Sequence, residues 1–324
     1  MLGVLRWSLR VGAAATGVAL IAGWFGTAHP AFDSFGHFRL VLSGALVVLL
    51  PLLWFARVRK TALFSVLVVG VSLVLTLPHL PGMKRGFAIP WLVADKPQFR
   101  LVQYNIRFNN RSPRAAADMI LAAKPDLVIL QEHTVANRAL LDTLKVQLPH
   151  TISCAAFGVG SVAMASRFPL DGRLKPECAR FSGFSRATFK LSESQSFTAV
   201  SFHALWPWPF RQQSQLLDNQ GRFQRLPSPL LIAGDFNAAP WSAAVNRVAA
   251  WTGTTIISGA VHSWGPSESR KLPSAVPELP FPLLPIDQVL YSSHFAPITR
   301  RTLDRAGSDH TAILTEFAFV GKQR

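Results

Sequence analysis

The first 81 positions are apolar almost without relief, and everything after them breaks into short alternating or continuous runs that end in polar residues. Three apolar runs stand out near the front: Val11 to Ala28, Leu40 to Ala56 and Thr61 to Leu80. At roughly 1.5 Å per residue each covers most of a bilayer core of about 30 Å, although the second is short and carries Pro51. A helix lying on a globular core would show a polar stripe, and these show almost none. The pattern therefore predicts three membrane-spanning helices.

From Phe99 the periodicity changes. Phe99 to Asn105, FRLVQYN, alternates and is β-rich, which predicts a first strand ending in Asn105. Ser112 to Ala123 reads as a helix with Ser112 as N-cap and Pro113 at the first position. Lys124 and Pro125 stop it, and Asp126 to Leu130 is a continuous apolar run of the fully buried strand type. A helical stretch near Asn137 to Leu148 follows, and then strands at Val159 to Ser166, Arg186 to Leu191, Phe197 to Phe202 and Leu231 to Asn237. A helix over Ser242 to Trp251 leads to a loop from Ser263 to Pro285 holding six prolines, too stiff for a plain connector and suited to a lid or binding loop. Strands over Ile286 to Tyr291 and Thr311 to Phe319 close the chain.

Charge changes the reading of the front section. Positions 1 to 81 hold one acid, Asp33, against Arg6, Arg10, Arg39, Arg57, Arg59 and Lys60. Arg6 and Arg10 precede the first run and the basic turn Arg57 to Lys60 joins the second and third, so both should face the cytoplasm. Three spans then deliver everything after Leu80 to the opposite side, and only Lys84 and Arg85 argue otherwise. The first run could instead be a cleaved signal peptide, but the two runs behind it favour retention as an anchor. This divides the chain into an anchor (1 to 81), a linker (82 to 97) and a domain that holds all the strands (98 to 324).

From Gly82 onward 27 basic residues face 16 acidic ones, an excess that suits a polyanionic substrate or an anionic membrane surface, or serves only for solubility. The two cysteines, Cys154 and Cys178, both fall in this part; they are either two buried thiols or a disulfide permitted by an oxidising compartment.

The candidate chemistry sits where the strands end. In Leu231 to Trp241, LIAGDFNAAPW, a buried run reaches Gly234 and then presents Asp235 and Asn237. Those two side chains share a face if strand geometry persists, so that one could orient a water while the other holds an oxyanion. A strand-to-helix turn capped by Asp or Asn is the plainer alternative. Similar endings supply Asn105, Gln131 with Glu132, His203, Asp287, and Asp309 with His310.

In this order, the QE, GDFN, ID and SDH motifs resemble the endonuclease/exonuclease/phosphatase superfamily over about residues 98 to 319, and the whole arrangement resembles its membrane-anchored bacterial members. The resemblance implies an α/β fold, a four-layer sandwich of two packed mixed β-sheets flanked by helices, here preceded by three transmembrane helices. It implies Mg²⁺ or Mn²⁺ on Glu132 with Asn105 and Asp309 close by, which hard oxygen ligands suit. By the same likeness Asp235 orients or deprotonates the attacking water and Asn237 helps hold it. His310 contacts the phosphoryl group with Asp287 fixing its ring, and His203 lies near the leaving group.

The implied protein is a divalent-metal-dependent phosphodiesterase at the bacterial inner membrane, multi-pass, with its catalytic domain outside the cytoplasm and a nucleic-acid or phospholipid-like substrate. Gln288 departs from the His or Tyr common after the aspartate, and no groove-inserting loop of duplex-cutting members is recognisable. Trp206, Trp208 and Phe210 suit base stacking, the lipid interface or plain core packing. A catalytically silent module binding phosphorylated ligands on a membrane stalk is the rival, and the presence of Glu132, Asp235 and His310 argues against it.

Overall fold

The computed structural model describes residues 1–154, 161–179, 182–265 and 283–321. Most of the loop expected over Ser263 to Pro285 lies outside these residues.

At the front, α1 (Leu2–Ala22), α3 (Arg39–Phe55) and α4 (Arg59–Thr76) pack around Ala13, Leu20, Leu46, Leu53, Ala62 and Val68. Two segments, Leu2–Phe25 and Arg59–His79, are long and apolar enough to cross a membrane. The third expected span is different: α3 meets a short helix, α2 (Pro30–His37), at a 61° bend, and only the bent pair together reaches spanning length and composition. The reason lies in residues 29 to 37, where His29 caps and Pro30 starts a separate helix between the first two apolar runs.

The remainder is built from twelve strands and four helices among the described residues. One sheet runs in the order β11 (Phe295–Thr302), β12 (Ile313–Phe319), β1 (Gln98–Asn105), β2 (Leu127–Gln131), β4 (Val162–Ser166), β3 (His150–Cys154). The other runs β5 (Glu177–Ala179), β6 (Phe184–Lys190), β7 (Ser196–His203), β8 (Leu230–Asp235), β10 (Asp287–Tyr291), β9 (Thr255–Ile256). Both are mixed, with parallel pairs at β1–β2 and β7–β8. Helices α5 (Pro113–Ala122) and α6 (Arg138–Leu144) cover the first sheet, and α7 (Gln212–Gln224) and α8 (Ala243–Thr252) the second. The four-layer sandwich expected from the sequence is thus the observed fold.

Alternation along each strand explains the layering, because successive side chains of a strand point to opposite faces. On β1, Phe99 and Leu101 enter the core between the sheets while Val102 and Tyr104 pack under α5 and α6. On β7, Phe197 and Ala199 face inward and Val200 and Phe202 outward; on β8, Leu231 and Ala233 face inward and Leu230 and Ile232 outward. The inter-sheet core is dense in phenylalanine, with Phe99 stacked on Phe197 and Phe317 at centroid distances of 5.6 and 5.8 Å.

Gly234 is required by the parallel pairing of β7 and β8. A Cβ at that position would lie 1.8 Å from the carbonyl oxygen of Phe202, which no side chain tolerates. The glycine of the GDFN motif is therefore set by the close approach of two strands of the sheet itself.

Cys154 and Cys178 form a disulfide, with Cα atoms 5.4 Å apart. It joins β3 to β5, the edge strands of the two sheets, and so clamps the open side of the sandwich. Closing a loop of this size stabilises a fold by roughly 3 kcal/mol in the chain-entropy account. Alkylation of unreduced, denatured protein should accordingly label neither cysteine, and the Cys154→Ser, Cys178→Ser double variant should melt several degrees lower; quantitative labelling without reductant would contradict the bridge.

Candidate active site

The inward-facing series that is apolar in the middle of each strand turns polar at one end. On β1 Phe99 and Leu101 give way to Gln103 and Asn105, on β2 Leu127 and Ile129 to Gln131, on β7 Phe197 and Ala199 to Ser201 and His203, and on β8 Leu231 and Ala233 to Asp235. Register then sets the neighbours: Asn105 lies beside Gln131, and Asp235 stands between His203 and Asp287. These polar ends are buried, so each must find a partner. Gln103 Nε2 donates to Gln131 Oε1 at 2.8 Å and to Asp287 Oδ1 at 2.7 Å. Gln131 Nε2 donates to Ser201 Oγ at 3.0 Å, and the Ser201 hydroxyl to the Leu130 carbonyl at 3.0 Å. A ladder of amides and a hydroxyl thus ties the two sheets together beneath the site.

Above the ladder lie the candidate groups. Asn105 Nδ2 donates to Asp235 Oδ2 at 2.9 Å and to Glu132 Oε1 at 3.2 Å, while its Oδ1 accepts from the Arg107 backbone N–H at 3.0 Å. Asn105 therefore holds two carboxylates from different sheets side by side. Glu132 Oε2 also accepts from the Phe108 N–H at 2.8 Å. His203 Nε2 lies 3.6 Å from Asp235 Oδ2 and 4.0 Å from Glu132 Oε1. His310 Nδ1 and Asp287 Oδ2 are joined by a 2.7 Å hydrogen bond, and His310 Nε2 lies 3.6 Å from Asp235 Oδ2. Asp309 Oδ2 accepts from Trp264 Nε1 at 3.2 Å, and its Oδ1 is 4.0 Å from Arg107 Nε.

Glu132, Asp235, Asn237, Asp309 and His310 line one pocket, so residues up to 178 positions apart in sequence meet. Asn105, His203 and Asp287 stand directly behind or beside them.

Asn237 reaches the pocket by a route other than the one expected. The strand ends at Asp235, and Asn237 has a left-handed backbone with φ of 47°. Its N–H donates to Asp235 Oδ1 at 2.8 Å and its Nδ2 to the Ala204 carbonyl at 2.7 Å, so a side-chain turn, and not a continued pleat, sets its position. The following helix starts at Ala243 and is capped by Ser242. Glu132 and Arg107 are also left-handed, at φ of 58° and 64°, and such backbone outliers concentrate at functional sites.

Burial, aided by the neighbouring Asp287 charge, pushes Asp235 up to about 6 against the pull of His310 and His203. Burial alone would lower His310, but the Asp287 and Asp235 carboxylates override it and hold it at about 10. Burial would likewise raise Asp287, and the charge and hydrogen bond of His310 leave it below the usual carboxylate range. The carboxylates of Asp287 and Asp235 thus favour the protonated form of the His310 imidazole. Asp235, Asp287 and His310 offer ligand atoms within 4.8 Å of one another, a grouping that could hold a metal ion. The direct bond between His310 and Asp287 already occupies one atom of each, whereas Glu132 and Asp309 bring further hard oxygen donors to the same pocket.

Sequence reading missed Gln103 and Ser201 and took Gln131 only as half of the QE motif; alternation would have flagged all three as supports, because each is a polar residue on an otherwise apolar inward face. The Arg107 side chain is likewise buried, against Asp309. Trp206, Trp208 and Phe210 are half exposed or more, which removes the core-packing alternative for them. Gln288 points away from the chemistry, donating to the carbonyls of Ala238 and Pro285.

Solved structures of similar fold are known. D. rerio TDP2 in complex with a single-strand DNA product is 17% identical, covers 68% of this chain and 98% of its own, and superposes with a TM-score of 0.54. TDP2 from C. elegans is 15% identical, covers 68% of this chain and 75% of its own, and scores 0.54. The human nocturnin catalytic domain with bound sulfate is 22% identical over 69% of this chain and 95% of its own, with a TM-score of 0.47. Among curated protein sequences none matches. The profile of the Endonuclease/Exonuclease/phosphatase family matches residues 102–310, from the middle of β1 to His310 itself, and the chain belongs to that family.

Proposed function

We propose that this protein is a membrane-anchored, divalent-metal-dependent phosphoesterase that cleaves phosphodiesters by attack of water on phosphorus, with its catalytic domain outside the cytoplasm. The observation that carries the reading is the meeting of Glu132, Asp235, Asn237, Asp309 and His310 in one pocket over a buried, hydrogen-bonded floor. A catalytic constellation needs such fixed geometry, and a pocket that only bound a ligand would not need a base, an imidazolium and carboxylates at these distances.

Glu132 and Asp309, with Asn105 beside them, would hold the ion. Their fit rests on donor chemistry: the hard carboxylate oxygens of Glu132 and Asp309 suit Mg²⁺ or Mn²⁺. Bound there, the ion supplies neutralisation of charge on the phosphoryl oxygens. Asp235 takes the proton of the attacking water, and Asn237, fixed through Ala204, orients that water. His310 donates from Nε2 to a phosphoryl oxygen while Asp287 holds the ring through Nδ1. His203 lies on the far side of Asp235, where a leaving oxygen can be protonated.

Three features support the topology. Arg6 Nε donates to the Ala56 carbonyl at 2.9 Å, so the basic N-terminus and the basic turn after α3 share one end of the bundle. Residues 33 to 37 bond to the catalytic domain, so the α1–α3 connection lies with that domain at the other end. The disulfide fits an oxidising compartment.

Two measurements test the reading. Glu132→Gln, Asp235→Asn and His310→Ala should each lower turnover of a soluble phosphodiester by about 100-fold or more without unfolding the protein, and chelator should abolish activity that Mg²⁺ or Mn²⁺ restores. Full activity in chelator, or an active Asp235→Asn, contradicts the mechanism. For the topology, a reporter that works only outside the cytoplasm, fused after Phe319, should be active, and protease added to spheroplasts should remove the domain; an active cytoplasmic reporter with a protected domain reverses the orientation.

A further inference from the structure

Helix α2 is not a passive connection between apolar helices. The Asp33 carboxylate accepts from the N–H groups of Ala243 and Ala244 at 2.8 and 3.0 Å, capping the start of α8. Trp241 Nε1 donates to the Gly36 carbonyl at 2.6 Å, and the Ser34 hydroxyl to the Trp208 carbonyl at 3.1 Å. The Ala239 N–H donates to His37 Nδ1 at 3.3 Å. These bonds seat the end of α2 on the loop that follows Asn237, and they carry His37 and Phe38 into the wall of the active-site pocket itself.

Because Nδ1 of His37 accepts a hydrogen bond, the neutral ring carries its proton on Nε2. His37 is only 4% exposed, and Nε2 has no hydrogen-bond partner among the described residues. A buried N–H without a partner costs free energy unless something else satisfies it, and here it belongs to a residue lining the pocket. Phe38, the next residue, is 42% exposed, and Arg39 after it is the first residue of α3. The pocket combines a polar floor, Glu132, Asp235, Asp309 and His310, with an apolar wall that includes Phe38, Trp206 and Leu284. Within that wall Phe38 runs directly into α3 of the apolar helix bundle.

We infer that the membrane-proximal segment completes the active site: the pocket takes the headgroup of a phospholipid lying in the same bilayer, with Phe38 and Trp206 against its apolar part and His37 Nε2 donating to an acceptor oxygen of the headgroup. A water-soluble nucleic acid has no use for a wall continuous with the membrane-facing helices, whereas a lipid keeps its chains in the bilayer and lifts only its phosphate to the floor. This rests on the phosphoesterase reading above and adds the substrate class and one binding residue to it.

The test uses the full chain reconstituted with Mg²⁺ in vesicles of phosphatidylcholine, phosphatidylethanolamine and phosphatidylglycerol. Mass spectrometry follows lipid and aqueous products, with bis(p-nitrophenyl) phosphate and a single-stranded DNA oligonucleotide assayed in parallel. The expected result is hydrolysis of at least one vesicle lipid. His37→Asn keeps an acceptor for the Ala239 N–H but removes the ε donor, and should raise the half-saturating lipid concentration about tenfold while kcat changes far less. His37→Gln, which restores a donor at about the same reach, should recover most of the loss, and Phe38→Ser should weaken lipid saturation independently. Hydrolysis of the soluble diester or the oligonucleotide with no vesicle lipid consumed overturns the inference and leaves the phosphoesterase reading standing. No hydrolysis of any substrate overturns both. An unchanged lipid KM in folded His37→Asn and Phe38→Ser also overturns it.

Discussion

The structure depends on burying polar strand ends between two sheets. A pleated strand sends every second side chain into the inter-sheet space, and in β1, β2, β7 and β8 that series is apolar for most of its length and polar at one edge. An unpaired amide or carboxylate there would cost on the order of several kcal/mol, so the groups are locked to one another across the interface. Gln103, Gln131 and Ser201 provide that locking, and Asn105 extends it to Asp235 and Glu132. The same hydrogen bonds that make the burial tolerable hold the site groups in a fixed arrangement, which is the condition for electrostatic catalysis.

Much of this was legible in the sequence because period-two patterning and a polar terminus can be read together. Asn105, Glu132, His203, Asp235, Asp287, Asp309 and His310 were all found at strand ends, and their order carried the family. What escaped has physical causes. The strand Phe295–Thr302 contains Pro297, a register irregularity and two adjacent arginines, so its alternation is broken. Helix α7 carries few apolar residues and an internal Gly221, so neither periodicity nor propensity announces it. The placement of Asn237 depends on a left-handed residue, a choice that local pattern does not encode.

The front section holds the least legible feature. Asp33 is its one acidic residue, and composition presented it only as an exception to a basic, apolar stretch. In the structure it caps α8 through two backbone N–H groups, an interaction of the kind worth about 1 kcal/mol, and so fastens the helix bundle to the catalytic domain. The two parts are therefore in register, and the mouth of the pocket has a fixed position relative to the apolar helices. Long-range contacts of this kind, between residues some 210 positions apart, leave no trace in local sequence.

The central claim is that this pocket directs water to phosphorus. Hydrolysis of bis(p-nitrophenyl) phosphate by the full chain in water enriched in heavy oxygen tests it directly, with both products examined by mass spectrometry. The account predicts that the label enters p-nitrophenyl phosphate and that p-nitrophenol carries none. Label in p-nitrophenol would mean attack at carbon and would contradict it.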